Sequence, residues 1–182
     1  MTPATTTSTW NIDPAHSGAE FKVKHMMIAN VRGKFSGISG VLHRFEADHT
    51  QSTLEVSIDT TTINTQDAQR DGHLKSADFL DVEKFPTMTF KSTHIEKKGE
   101  GFAVTGDLTI HGVTKPVVLN VEEVSEPAKD PWGNTRIGLT ATAKINRKDF
   151  GLTWNTTLEA GGVLVGEEVN ITLDVQFIKA AN

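Results

Sequence analysis

A chain of 182 residues, 37% of them hydrophobic and 23% charged, has material for one domain with a substantial core. Its formal net charge of -5 comes without a basic run, which argues against nucleic-acid binding and against an anionic-membrane footprint read from composition. The absence of cysteine excludes disulfides, thiolate catalysis and Cys-ligated zinc, and no window of eighteen apolar residues is present to span a bilayer.

Residues 1–9 are small and polar and read as a flexible lead without the basic and apolar regions of a secretory signal. A cytoplasmic location is the expectation, or a periplasmic one if the chain is a processed form. Residues 10–182 read as one all-β domain, because period-two alternation dominates and marks strands with one buried face. Phe21 and Val23 alternate with Glu20, Lys22 and Lys24, and Leu54, Val56 and Ile58 alternate with Thr53, Glu55 and Ser57. Phe102, Val104, Gly106, Leu108 and Ile110 continue the pattern, as do Ile137, Leu139, Ala141, Ala143 and Ile145. The clearest row is Val169, Ile171, Leu173, Val175 and Phe177. Eight strands are predicted, near 19–25, 31–45, 53–59, 86–95, 102–110, 115–124, 135–146 and 167–178.

Turn signals separate these runs at Lys97–Gly101 and His111–Thr114, with a longer loop from Glu126 to Asn134. Hairpin-length connections imply an antiparallel meander. One stretch breaks the alternation: a short helix near 66–76, with Thr65 as its cap, is expected to pack on the sheet. Gly72 within it costs about 1 kcal/mol relative to Ala, so the helix needs tertiary support from Leu74, Phe79 and Leu80. Eight strands can close around a lumen wide enough for a small ligand, and small residues on the inward rows (Gly106, Ala141, Ala143) are expected to widen it.

The residues with sharp identity lie mostly outside these rows. They are Trp10–Ser17 (WNIDPAHS), His25–Ile28 (HMMI), Val31–Phe35 (VRGKF), Gly40, Thr65 and Arg70–Asp81 (RDGHLKSADFLD). Phe85-Pro86, Phe90–Ser92, Gly106–Thr114 (GDLTIHGVT), Arg147–Gly151 (RKDFG) and Gly166–Val169 (GEEV) follow. This ordered series, from Trp10 to Phe177, closely resembles the YceI-like family. The resemblance implies an eight-stranded antiparallel lipocalin-like β-barrel that holds a polyisoprenoid, or its quinone or diphosphate derivative, or another long-chain lipid, for carriage or sequestration. No resident cofactor beyond such a lipid and no metal is expected, nor is nucleic-acid binding or stable membrane insertion. Open strand edges leave room for a homodimer.

On this reading the lining candidates are Phe21, Val23, Phe35, Leu74, Phe79, Phe90, Leu108, Leu139, Phe150 and Trp154. Met26 and Met27 are adaptable side chains placed at a mouth. Arg70 and His73 are candidates for a head group, set against a surface charge lattice in which Asp67 meets Arg70 and Asp71 meets Lys75. Arg147 with Asp149 is expected to fasten a turn, and His16 to act as a structural hydrogen-bonder. Metal-binding histidine spacings, a nucleophile elbow and a phosphate-binding glycine loop are all missing from the sequence. The chain therefore reads as a binder, not an enzyme. The competing readings are an enzyme acting on a lipid head group through His16, His73 or Arg70, and a filled barrel serving as a structural module.

Overall fold

The computed structural model describes residues 6–181. Its strands are β1 (Thr7–Ile12), β2 (Gly18–His25), β3 (Ala29–Phe35), β4 (Ile38–Phe45), β5 (Thr53–Asp59) and β6 (Ile63–Asn64). After the helix α1 (Ala68–Lys75) come β7 (Thr87–Lys98), β8 (Gly101–Ile110), β9 (Val113–Val124), β10 (Ala128–Lys129), β11 (Thr135–Asn146) and β12 (Val165–Lys179). Every pairing between these strands is antiparallel.

Three adjacent strands are broken at the same level. Pro14 and the turn Pro14–His16 separate β1 from β2, Ser36-Gly37 separates β3 from β4, and the turn Thr60–Thr62 separates β5 from β6. Taken as staves, β1–β2, β3–β4, β5–β6, β7, β8, β9, β11 and β12 follow one another in chain order, and the β11–β12 ladder is continuous over Arg136–Asn146. Since β12 also pairs with both β1 and β2, the sheet closes on itself as an eight-stave barrel. Closure removes the sheet edge that an open meander would expose.

The expected staves are present, with differences at the start. Thr7 to Thr9 belong to β1 and pair with Phe45, Arg44 and His43, whereas a flexible lead was expected; the remainder of that expectation, residues 1–5, lies outside the described residues. The expected strand 31–45 is two strands, because the chain kinks where the Gly37 N–H bonds Thr62 Oγ1 and the Gly37 carbonyl accepts from Asp59. The helix cap is Asp67, whose carboxylate accepts from the Arg70 N–H, and not Thr65. The His111-Gly112 turn forms as expected, both residues in left-handed backbone.

At one end of the barrel, the upper end, lie the Met26–Ile28 turn, the segment 60–86 with α1, the His111-Gly112 turn and the 147–164 loop. The lower end carries the 46–52 and 125–134 loops and the hairpin at Gly99. The inward row includes Trp10, Ile38, Ile137 and Phe177, each 1% exposed, packed with Val104, Ala141 and Val175. A second buried group under α1 contains Phe35, Ile63, Leu80, Met88, Ile110 and Leu152. β9 joins β11 only through Asn120–Val124; above this the two strands splay, and Phe150, 1% exposed, packs there with Val113, Val117 and Ile145.

Candidate functional site

The inward rows do not meet. They surround a cavity of about 880 Å³ whose wall is predominantly apolar and reaches both ends of the barrel. That volume lies in the upper part of the range for ligand pockets. Phe21, Val23, Phe35, Leu74, Phe79, Phe90, Leu108, Leu139 and Trp154 all border it, as do Arg70 and His73. So do the alternating residues Val56, Ile58, Val104, Ile137, Ile171 and Phe177.

Three candidates lie elsewhere. Phe150 borders a separate hollow between the splayed β9 and β11, because the turn Arg147–Phe150 carries it outside the lumen. Met26 and Met27 form the β2–β3 turn and are 44% and 61% exposed, off the lumen wall. Both hold left-handed backbone, at φ 52° and 62°, where Asn or Gly is usual; such a conformation costs roughly 1 kcal/mol for each L residue. The Met26 N–H donates to the Leu164 carbonyl at 2.7 Å, so the tip is tied to the 151–164 loop.

Small residues on the inward rows behave differently from one another. Ala141 borders the cavity, but Ala143 borders the hollow outside it. A Cβ on Gly106 would stand 2.6 Å from the Lys91 carbonyl oxygen and 2.7 Å from Phe90 Cε2. Gly106 therefore makes room for the Phe90 ring; it does not widen the lumen. Gly33 does the same for Phe21, its cross-strand partner.

At the upper mouth, His73, Phe79 and Trp154 form a three-ring group, with His73 edge-on to both partners at 5.1 and 4.7 Å. His73 Nε2 lies 2.9 Å from Asp78 Oδ2. Arg70 donates through Nε to Thr65 Oγ1 and through Nη2 to the Thr65 carbonyl, both at 2.8 Å. Asp71 accepts from the Thr65 N–H and hydroxyl, so Thr65 is the joint of this network. The expected lattice of Asp67 with Arg70 and Asp71 with Lys75 does not form, because both carboxylates are taken by nearer local donors. Arg70 Nη1 makes no hydrogen bond with the described residues.

Arg147, 3% exposed, also borders the cavity and makes no ion pair with Asp149. Its Nη1 donates to the carbonyls of Leu152 and Trp154, its Nη2 to Val165 and its Nε to Gly166. Burial pushes its pKa below the ordinary guanidinium value, with Glu167 acting weakly the other way. The guanidinium pins the loop after Gly151 to the start of β12 over the upper end. The lower end is polar through other means: Trp10 Nε1 donates to Ser8 Oγ, which donates to Glu46 Oε1. His49 Nδ1 lies 2.8 Å from the Phe45 carbonyl, so it carries the proton and leaves Nε2 to accept from Arg44. Sequence reasoning missed Arg44, His49 and Arg147 as wall residues, since nothing in their local spacing signals a lumen.

His16 is off the wall: its Nδ1 bonds Asp13 Oδ2 at 2.8 Å, the structural role expected of it. Arg136 joins the same carboxylate at 2.6 Å and Asp130 at 2.6 Å on its other side. His111 packs against Phe85. Among the described residues no group of three His, Cys, Asp or Glu side chains could hold a metal ion. No helix among them is long and apolar enough to cross a membrane.

Comparison with known proteins agrees with this geometry. A UPF0312 protein of Vibrio cholerae is 41% identical over 139 residues, covering 76% of this chain and 73% of that protein. The Campylobacter jejuni YCEI protein superposes with a TM-score of 0.71 at 34% identity, covering 88% of this chain and 91% of that one. A polyisoprenoid binding domain from Saccharophagus degradans shares the fold at 16% identity and a TM-score of 0.65, covering 94% and 98% of the two chains. Residues 10–177 match the model of the YceI-like domain, the span over which the motifs from Trp10 to Phe177 are distributed. With the barrel, its lumen and these relatives in agreement, the chain belongs to the YceI-like family.

Proposed function

We propose that the barrel takes up a long-chain apolar ligand, a polyisoprenoid or its quinone or diphosphate derivative, and carries or sequesters it in the lumen. The observation that carries this reading is the cavity of about 880 Å³, walled by Phe, Leu, Ile and Val along its length and by polar groups at its ends. Each buried CH₂-sized group contributes about 0.8 kcal/mol, so one five-carbon unit supplies roughly 3–4 kcal/mol before entropic costs. A few units suffice for tight binding with hardly any polar contact. The structural neighbour from Saccharophagus degradans, described as a polyisoprenoid binding domain, supports the same ligand class. Arg70, which borders the lumen together with His73 and Trp154 and has Nη1 open, is the group best placed for a polar or anionic head.

Native mass spectrometry of the purified protein, followed by solvent extraction, tests this directly. The expected result is a co-purifying long-chain lipid, or stoichiometric uptake of an added prenyl alcohol by stripped protein. Protein that is clean after purification and ignores prenyl alcohols, quinones and diphosphates alike would sink the reading. Turnover of a prenyl diphosphate that vanishes in Arg70→Ala or His73→Ala, with tail binding retained, would instead establish a head-group enzyme.

A further inference from the structure

The outer face of the β2–β3 hairpin carries charge of one sign. Period two sends Phe21, Val23 and Val31 to the lumen and Lys22, Lys24, Arg32 and Lys34 to the other face, where Glu20, the only acid of the row, stands opposite Lys34; Glu20 and Lys24 also touch the border of the cavity. Lys22 stands directly opposite Arg32, a like-charge cross-strand pair that costs stability unless something else requires it. None of these four cations makes an ion pair with a described residue. Of the acids on the neighbouring strand β12, Glu167 is engaged by Lys148 and Glu168 by Lys144, while Asp174 stands opposite Gly18, beyond the end of the row. In a chain of net charge -5 this is a local reversal of sign.

The row ends at an apolar tip. Met26, Met27 and Ile28 are 44%, 61% and 81% exposed, and Val163 of the adjoining loop is 37% exposed. Met27 lies against Gly162, so the tip and the loop present one surface. The cavity wall reaches this place through His25 and Leu164. Two Met residues are held in left-handed backbone here, and strain of that kind clusters at functional surfaces.

We infer that the β2–β3 hairpin docks the barrel on an anionic lipid bilayer, the Met26–Ile28 tip entering the headgroup–acyl boundary and the cationic row facing the headgroups. Four apolar side chains are too few for a stable protein interface, which takes about 20–30 residues a side. They suit shallow immersion, and the adjoining cations supply the second attraction that reversible bilayer binding needs. Docking in this orientation sets the upper mouth against the membrane. The inference thus extends the lumen reading by giving the ligand a direct route from bilayer to barrel.

The test is co-sedimentation of the full chain with vesicles of phosphatidylglycerol and phosphatidylcholine, or of phosphatidylcholine alone, at low and high salt. The wild type should partition onto the anionic vesicles and release at high salt. Arg32→Glu with Lys34→Glu should weaken partition by at least tenfold, about fivefold per charge from the loss of attraction alone, and remove the salt dependence. Ile28→Asp should weaken it comparably, whereas Trp132→Ala, at an exposed tip of the lower end, should leave it unchanged. Uptake of farnesol from solution, measured in parallel, should be the same in all variants, which shows that they are folded. Absence of wild-type partition onto anionic vesicles, or equal partition by the hairpin variants, overturns the inference. So does a dimer in sedimentation velocity that Ile28→Asp dissociates, because the tip would then be a protein interface. Vesicle binding without farnesol uptake would leave docking standing and count against the lumen reading alone.

Discussion

Gly72 occupies the middle of α1 with nothing within 4 Å of where a Cβ would stand. Replacing it by Ala removes unfolded-state freedom at no steric cost, so Gly72→Ala is expected to stabilise the protein by about 0.5–1 kcal/mol. For a chain of this size that corresponds to a rise in Tm of roughly 2–4 °C per kcal/mol, readable by differential scanning calorimetry. A lower Tm would show that the helix needs the flexibility of glycine. Arg147 is the opposite case, a buried cation whose donors hold four carbonyls, those of Leu152 and Trp154 in the loop and those of Val165 and Gly166 at the start of β12. Arg147→Met leaves those carbonyls unpaired and should cost about 3 kcal/mol or more in urea unfolding. A loss below 1 kcal/mol would mean that the 151–164 loop holds itself.

Among the elements, the break between β1 and β2 is secured from outside the barrel. Arg136 on β11 reaches Asp13 at that break and Asp130 in the loop beyond β9. Hydrogen bonding from Arg136 is the largest cause that holds both carboxyl groups below the usual Asp range, Asp130 at about 2; His16 adds to the effect on Asp13. A folded-state pKa below the unfolded one gives stability that is present above about pH 4 and is lost as pH falls through the folded value. The tie should therefore hold down to about pH 2–3. Arg136→Gln should move the onset of acid unfolding upward and lower Tm at pH 7, with the two curves converging near pH 2. Parallel curves of Tm against pH for wild type and variant would contradict this assignment.

For the molecule as a whole, the decisive property is a barrel whose inward rows stand apart. Ala141 is 1% exposed, borders the lumen, and lies between Leu173 on β12 and Val121 on β9. Ala141→Phe adds volume where the ligand is proposed to run. It should lower affinity for a long prenyl chain at least tenfold while affecting a short one less, at a stability cost of about 1–3 kcal/mol. Titration of prenyl alcohols of increasing length checks this. Equal loss at every length would place the ligand elsewhere.

The strands were legible in the sequence because each stave has one face against the lumen, and a single buried face writes period two into residues such as Val169, Ile171, Leu173, Val175 and Phe177. The motifs from Trp10 to Phe177 identified the family, and most lining candidates border the cavity for the same reason. Local pattern could not reach what depends on residues distant in the chain. The kink at Gly37 is set by Asp59 and Thr62, the partners of Arg147 lie up to Gly166, and Phe150 was drawn from the lumen by the splay of β9 from β11. The cationic row forms no basic run in the sequence because strand geometry places its charges at every second residue, and only pairing of β2 with β3 gathers Lys22, Lys24, Arg32 and Lys34 on one face. Alternation specifies which side chains turn inward; closure of the barrel decides whether they meet, and here they do not.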